Sequence, residues 1–506
     1  MLRSIASVFL LIGLSCAAYS QQHHDTGPAS SSAPVDLGKI DFPTSGPAAA
    51  QKHFIEGVLL LHSFEYARAR RAFAEASRLA PDFAMAYWGE AMTYDHRIWG
   101  EQDRTSALAA LARLAPTAAE RRAKVATERE RMYFDAVEKL FADGSEQEVA
   151  ARYSNAMGAL TKRFPDDLEA RAFYSLSVLG LTGVVRNTEN YLKAAAVAEA
   201  IYKKNPNHPG ALHYLIHAYD EPAHAPKGLA AARAYGTVAR SAAHAQHMPS
   251  HIFFALGMWE ESIVANTASM KSARGEGTGG YHPLYWLVHA YLQLGRTDDA
   301  AKLITTIEDD LKITSSNPAK AHLALSRTTF LVETRGAAPE SMMQPVDAAG
   351  FVRLGVFAGH DMAIGLEYIR RKDLAGAGRM LESLRERSAT MKGARSSASS
   401  ANRYLSVSQA DIDTVSVMES MLIAAIQFAS GEQEKGVQGM VAAAQNEDKL
   451  VFEYGPPAIV KPAWEAAGEL LLATGKKAEA SDAFRNVLKR YPNRRLSNQG
   501  LKATGK

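Results

Sequence analysis

Apolar and small residues recur along this chain with a helical period nested inside a longer one. Large apolar residues fall three or four apart, break at a polar or glycine position, and resume. That spacing predicts pairs of amphipathic helices and not strands. Near the C-terminus, Trp464, Gly468, Leu471, Gly475, Ala480, Phe484 and Pro492 occupy positions 4, 8, 11, 15, 20, 24 and 32 of a unit beginning at Lys461. Near the start, Gly57, Leu60, Ala69, Phe73, Ala76 and Pro81 occupy positions 8, 11, 20, 24, 27 and 32 of a unit beginning at Ala50. Small residues at 8 and 20 let two antiparallel helices approach closely. Large residues fill the seam, and the proline at 32 ends the second helix.

This pattern resembles the tetratricopeptide repeat, a helical hairpin of about 34 residues. Further units begin at Ala84, near Leu168, at Pro209, near Ala243, at Tyr281, and near Ala358 and Val417. The resemblance implies an all-α solenoid, a right-handed superhelix over residues 50–500, with a concave groove lined by the first helix of each pair. Each repeat packs on its neighbours, so length adds area without a second core. Two stretches break the period: an Arg-, Glu- and Ala-rich insertion at 97–150, and a Ser-rich segment at 388–412 that reads as an exposed loop. The run Gly275-Glu-Gly-Thr-Gly-Gly280 looks like a phosphate loop only superficially. No strand precedes it, so it reads as a linker.

Composition narrows the reading. The chain of 506 residues carries 57 Lys+Arg against 54 Asp+Glu, a formal charge of +3, which gives no broad electrostatic footprint for nucleic acid. One cysteine excludes an internal disulfide or a CxxC metal knuckle. Met1 and Arg3, the apolar run Ile5–Leu14 and then Ala18-Tyr-Ser20 predict a secretory signal peptide over residues 1–20, cut after Ser20. A lipoprotein reading at Cys16 is disfavoured by the bulky Leu14. Export to the periplasm or out of the cell is therefore expected, with residues 21–49 as a flexible leader. No stretch approaches 18 consecutive apolar residues, so no membrane span is expected.

The candidate chemistry lies in histidine. The chain has 16, and nine of them fall between His208 and His289. His213 and His217 hold positions 5 and 9 of their unit, His247 and His251 the same positions of the next, and Tyr285 and His289 those of the one after. Positions 5 and 9 are one helical turn apart and share a face, which by the resemblance lines the groove. Neutral imidazoles gathered at one point suit copper, zinc or iron, and an HxxxH pair on one helix is a bidentate bite. His213, His217, His247 and His251 are thus the candidate metal ligands, with Asp220, His244, Tyr285 and His289 beside them as supporting or substrate-facing groups. Pro249 lies where the register places a first helix, so the helix starts or kinks there. Local conflict of this kind often marks a function.

Blander readings stand beside this one. His53, His62, His96, His322 and His360 read as packed or hydrogen-bonded histidines, and His208 as a turn or cap residue. The clustered histidines also suit a metal-free groove that binds a peptide, a protein partner or a small ligand. Glu465 and Glu469, at positions 5 and 9 of the last unit, read as a solvated face. Trp88, Tyr214, Tyr219, Trp259, Tyr281 and Trp286 flank the groove as seam residues or as a wall over a ligand. Through His213-Tyr-Leu-Ile-His217-Ala-Tyr-Asp220, His247-Met-Pro-Ser-His251-Ile-Phe, Ala290-Tyr-Leu-Gln-Leu-Gly295 and Phe452-Glu-Tyr-Gly-Pro456-Pro457, the chain is similar to a group of exported bacterial proteins with this repeat. That likeness implies fold and export, and no particular activity. His289 stands where such proteins place a tyrosine.

Overall fold

In the structure, a computed structural model, residues 36–99, 101–182, 186–397, 407–450 and 454–505 are described. The expected signal peptide lies outside them. The described residues form two compact units, one of residues up to 303 with 454–457 and 476–505, the other of Ile304–Leu450 and Ala458–Gly475.

The larger unit begins with the hairpin α1 (Ala48–His62) and α2 (Tyr66–Leu79). Next, α3 (Ala84–Met92) opens a second hairpin whose partner is displaced by the insertion. The insertion holds a two-residue antiparallel ribbon, β1 (Asp95–His96) with β2 (Glu101–Gln102), and then α4 (Arg104–Ala112), α5 (Ala118–Ala123) and α6 (Glu128–Leu140). Pairing resumes as α6 with α7 (Glu146–Arg163), α8 (Leu168–Leu179) with α9 (Thr188–Lys204), and α10 (Pro209–Tyr219) with α11 (Ala225–Val238). Then come α12 (Ala243–His247) and α13 (Pro249–Leu256) with α14 (Trp259–Gly275), followed by α15 (Tyr281–Gln293) and α16 (Thr297–Ile313). The smaller unit holds α17 (Asn317–Thr334), α18 (Gly355–Arg370), α19 (Leu374–Ser397), α20 (Gln409–Ala429), α21 (Gln433–Glu447) and α22 (Ala463–Ala473). The last helices, α23 (Lys477–Arg490) and α24 (Arg495–Ala503), belong to the larger unit.

Helices α8, α10, α12 and α15 begin at residues 168, 209, 243 and 281, where the repeat register places unit starts. Position 15 tests the register independently, because the turn between paired helices needs a left-handed residue there. Gly257, Gly295, Gly431 and Gly475 have φ of 66°, 74°, 95° and 78°, and Phe64 and Lys372 share the position with φ of 55° and 63°. Glycine takes this conformation without a Cβ penalty. Phenylalanine does not, at a cost of roughly 1–2 kcal/mol.

Three sequence expectations change. The leader does not stay free to residue 49. From residue 36 the chain packs onto the larger unit, with Leu37 and Phe42 buried, the Phe42 ring 5.0–5.9 Å from Phe54, Trp88 and Tyr133, and Lys39 N–H donating to the Asn207 carbonyl at 2.9 Å. The Ser-rich loop is shorter than 388–412, because α19 runs to Ser397 and α20 starts at Gln409; residues 398–406 lie outside the described set. Glu465 is no solvated face. It is buried 3.1 Å from Lys461 Nζ, which also meets Glu469 at 2.5 Å. Helix α20 is long and apolar enough to cross a membrane by length and composition. Its apolar residues, Met418, Met421 and Leu422 among them, are buried within the smaller unit.

The small residue at position 8 has a visible reason. A Cβ on Gly57 would lie 2.6 Å from the ring of the fully buried Phe73, at position 24 of the same repeat. Gly57→Val therefore overpacks the α1/α2 seam and is expected to destabilise the protein by about 1–3 kcal/mol. Chemical denaturation checks this, and an unchanged midpoint would show that the seam is not close-packed there.

Candidate metal centre

The site is built from one register in three successive repeats. His213 and His217 project from α10 one turn apart. His244 and His247 are both on α12, His251 is on α13 and His282 is near the start of α15. Pro249 explains the break between α12 and α13. It lacks the N–H that would reach Ala245, and the turn tightens so that His251 N–H donates to the Met248 carbonyl at 3.1 Å. The His247 carbonyl accepts instead from Ser250 Oγ at 2.7 Å. The first helix thus kinks, and His247 and His251 stay on one side of it, with ring centroids 5.0 Å apart.

The hydrogen bonds assign the tautomers. His213 Nδ1 is 2.7 Å from the His62 carbonyl, an acceptor only, so Nδ1 carries the proton. His247 Nδ1 is 2.7 Å from Asn266 Oδ1, and the Asn266 amide nitrogen donates to the Ser262 carbonyl and hydroxyl, which fixes the orientation of the amide. His251 Nδ1 donates to Asp220 Oδ2 at 2.5 Å. His213 and His247, both held neutral by burial, therefore present an unprotonated Nε2. Those lone pairs face other imidazoles. His213 Nε2 lies 3.1 Å from His217 Nε2 and 3.2 Å from His244 Nε2. His247 Nε2 lies 3.2 Å from His251 Nε2 and 3.0 Å from His282 Nε2. The His247 lone pair thus lies in the gap between His251 and His282.

Burial makes a proton a poor filler for that gap. It pushes His213 and His247 down to about 3, while the His62 carbonyl and Asn266 only partly oppose it. Burial, reinforced by the neighbouring imidazoles, takes His217 and His244 well below their ordinary value. A metal ion answers the same lone pairs without a proton.

The expected ligands His213, His217, His247 and His251 are thus brought together, but as two pairs and not around one point. The His217 and His251 rings are 6.2 Å apart, against 4.8 and 5.0 Å within the pairs. His244 takes a more direct part than expected, closing a group with His213 and His217 whose ligand atoms all lie within 4.8 Å of one another. His282, absent from the sequence-derived set, reaches His247. Asp220 orients His251. His289 does not converge. It packs in the seam, 5.4 Å from Phe254 and 5.9 Å from Trp259. Tyr285 is buried on the same helix. The cluster is also not an open groove. His213 is fully buried and His244 and His247 nearly so.

What closes it is aromatic. The Phe64 ring lies 4.3 Å from His213, 5.8 Å from His217 and 5.6 Å from His244. This is the left-handed position-15 residue of the first repeat, and a bulky side chain in place of glycine there is the signal that marks it in the sequence. Trp286 covers the other pair, 4.8 Å from His247 and 4.6 Å from His251. Gly455 passes so close to Trp286 that a Cβ would meet its ring at 2.2 Å.

A second group, His62, Glu169 and His208, has the proximity of a metal site but not its valence. His208 Nδ1 accepts from Ala211 N–H at 3.2 Å as the N-cap of α10, so its Nε2–H faces Glu169 at 3.1 Å. His62 Nδ1 accepts from the Tyr214 hydroxyl at 2.8 Å and its Nε2–H donates to Glu169 at 2.7 Å. Burial alone would raise Glu169, but His208 and His62 hold it down at about 2. Both imidazoles thus turn an N–H, and not a lone pair, toward Glu169. The group fixes the end of α1, whose His62 carbonyl orients His213. The other lone histidines behave as expected, His322 and His360 bonding to the carbonyls of Pro318 and Met342.

No family model matches the chain, and no curated protein matches it by sequence. Among solved structures it is similar to the human IFIT1 dimer with m7Gppp-AAAA (11% identity, 92% of this chain and 90% of that one, TM-score 0.36). It is also similar to the P58(IPK) TPR domain (14%, 90% and 98%, TM-score 0.23). A third similarity is to a tetratricopeptide repeat protein from Parabacteroides merdae (9%, 75% and 99%, TM-score 0.28). The repeat architecture described above rests on the chain's own helices and register.

The buried neutral histidines set a pH dependence. His213 and His247 titrate at about 3 when folded and His322 and His360 at about 4, against an ordinary 6.5. As pH falls, the unfolded chain binds protons before the native one does. Stability is therefore full above about pH 6.5 and is lost progressively below it, by up to ~1.4 kcal/mol per pH unit for each such histidine. The melting temperature of metal-free protein should fall steadily from pH 6.5 to 4.5. A flat profile over that range would contradict the neutral, buried assignment.

Proposed function

We propose that this is a repeat protein whose histidine cluster binds a transition metal. The observation that carries the reading is the convergence of His213, His217 and His244, three buried imidazoles whose ligand atoms all lie within 4.8 Å of one another. His213 and His247 each keep the Nδ1 proton on another acceptor, so each turns a bare Nε2 toward two neighbouring imidazoles. A cation answers such buried lone pairs without a proton. Orientation of a ligand imidazole through its second nitrogen, by a carbonyl, an amide and a carboxylate here, is what metal-binding histidines require. Burial supports a small ion over an extended peptide, because Phe64 and Trp286 occupy the space a peptide would take. Three imidazoles leave a coordination position open on a four-coordinate ion, which suits binding of water, oxygen or a substrate and is compatible with oxidation or hydrolysis.

Elemental analysis of protein purified without a histidine tag tests the reading. Stoichiometric copper, zinc or iron is expected in the parent protein and at least a tenfold lower content in the His213→Ala/His247→Ala double variant, which removes from each half of the cluster the histidine that meets two others, with the far-ultraviolet circular dichroism unchanged. Metal-free parent protein that also fails to take up metal on reconstitution would overturn the reading.

A further inference from the structure

We propose that the cluster is binuclear, with one ion in each of two three-histidine sets related by the repeat; this rests on the metal-binding reading above. The first set is His213, His217 and His244, and the second is His247, His251 and His282. Each consists of positions 5 and 9 of one repeat and position 2 of the next, so a single ligand pattern occurs twice in succession. The distances separate the sets. Ring centroids lie 4.6–5.0 Å apart within them, and 6.2 and 6.3 Å apart where His217 meets His251 and His244 meets His247. Two Nε2···Nε2 contacts in each set, through His213 in the first and His247 in the second, are 3.0–3.2 Å. A tetrahedral ion with metal–nitrogen bonds near 2.0–2.1 Å spaces its ligand atoms by about 3.3 Å, so these contacts have the edge length of one ion's coordination sphere, and the ligand atoms of the first set all lie within 4.8 Å of one another.

Charge selects the ion. His251 carries the Asp220 carboxylate on its ring, but His213 and His247 are oriented by a neutral carbonyl and a neutral amide. The Arg186 guanidinium lies against the carbonyls of His217, Ala218 and Asp220 at the end of α10. Two divalent ions would bring four positive charges into this buried, cation-flanked place, whereas two Cu(I) ions bring two. Imidazole ligation suits zinc, copper, iron and nickel, and of these copper is the metal with a common monovalent state. The structure therefore assigns the pair to copper, loaded in the monovalent state.

The test is anaerobic titration of tag-free, metal-free full chain with Cu(I) against a competing chelator. Two equivalents should bind. His244→Ala removes a ligand from the first set and His282→Ala, half-buried and least costly to the fold, one from the second; each variant should retain one tight equivalent and lose the other by at least tenfold in affinity. One equivalent in the parent protein overturns the binuclear assignment and leaves metal binding standing. No Cu(I) binding overturns the binuclear copper assignment, and the elemental analysis above, with its zinc and iron arms, then decides metal binding itself. The parent stoichiometry decides even if a variant misfolds. Adjacency is read separately, after oxidation by air. Two neighbouring Cu(II) ions should give a paramagnetic spin count clearly below the copper content, and a spin count equal to the copper content contradicts adjacency.

Discussion

The centre depends on three hydrogen bonds that each occupy the far nitrogen of an imidazole. The His62 carbonyl, Asn266 Oδ1 and Asp220 Oδ2 take the Nδ1 protons of His213, His247 and His251. Once those protons are committed, the Nε2 atoms point inward toward neighbouring imidazoles. Much of the surrounding structure serves to hold these acceptors. The buried group of His62, Glu169 and His208 fixes the end of α1 and so the His62 carbonyl. Ser262 fixes the Asn266 amide. The kink at Pro249 places His247 within reach of Asn266 and His251 within reach of Asp220.

The two histidine–carboxylate–histidine neighbourhoods make an instructive pair. Both are buried and both gather ligand-type atoms within a few ångströms. They differ in where the protons are. Around Glu169 both imidazoles turn an N–H toward the carboxylate and accept elsewhere, so an ion would have to displace protons. Around His247 the donors point outward and the acceptors inward. Proximity alone does not separate a structural network from a ligand set; the direction of each hydrogen bond does.

The repeat was largely legible in the chain. Proline at 32, small residues at 8 and glycine at 15 each answer to a local backbone or packing demand, and local demands leave a periodic trace. The pairs at positions 5 and 9 were legible for the same reason. Position 2 was legible only in part: His244 stood beside the expected ligands, whereas His282 joins the cluster across a repeat boundary, where a reading confined to one helix face does not look. His289 was misleading, since it shares the register of His251 while Phe254 and Trp259 hold it in the seam. The closure of the site was illegible as well. Phe64 and Gly455 come from far along the chain, and no local pattern says that they meet His213 and Trp286. The packed segment from residue 36 was hidden because two apolar residues, Leu37 and Phe42, do its work within a polar stretch.

The most direct test of this account is the protonation of the histidine rings themselves, read by nitrogen-15 NMR of metal-free protein with labelled histidine at pH 7. His213 and His247, assigned through single substitutions, are predicted to be neutral with the proton on Nδ1 and a bare Nε2, and Cu(I) to shift the Nε2 resonances while leaving Nδ1–H in place. Rings protonated on Nε2, or imidazolium at neutral pH, would contradict it, because the inward-facing lone pairs on which the centre depends would then not exist.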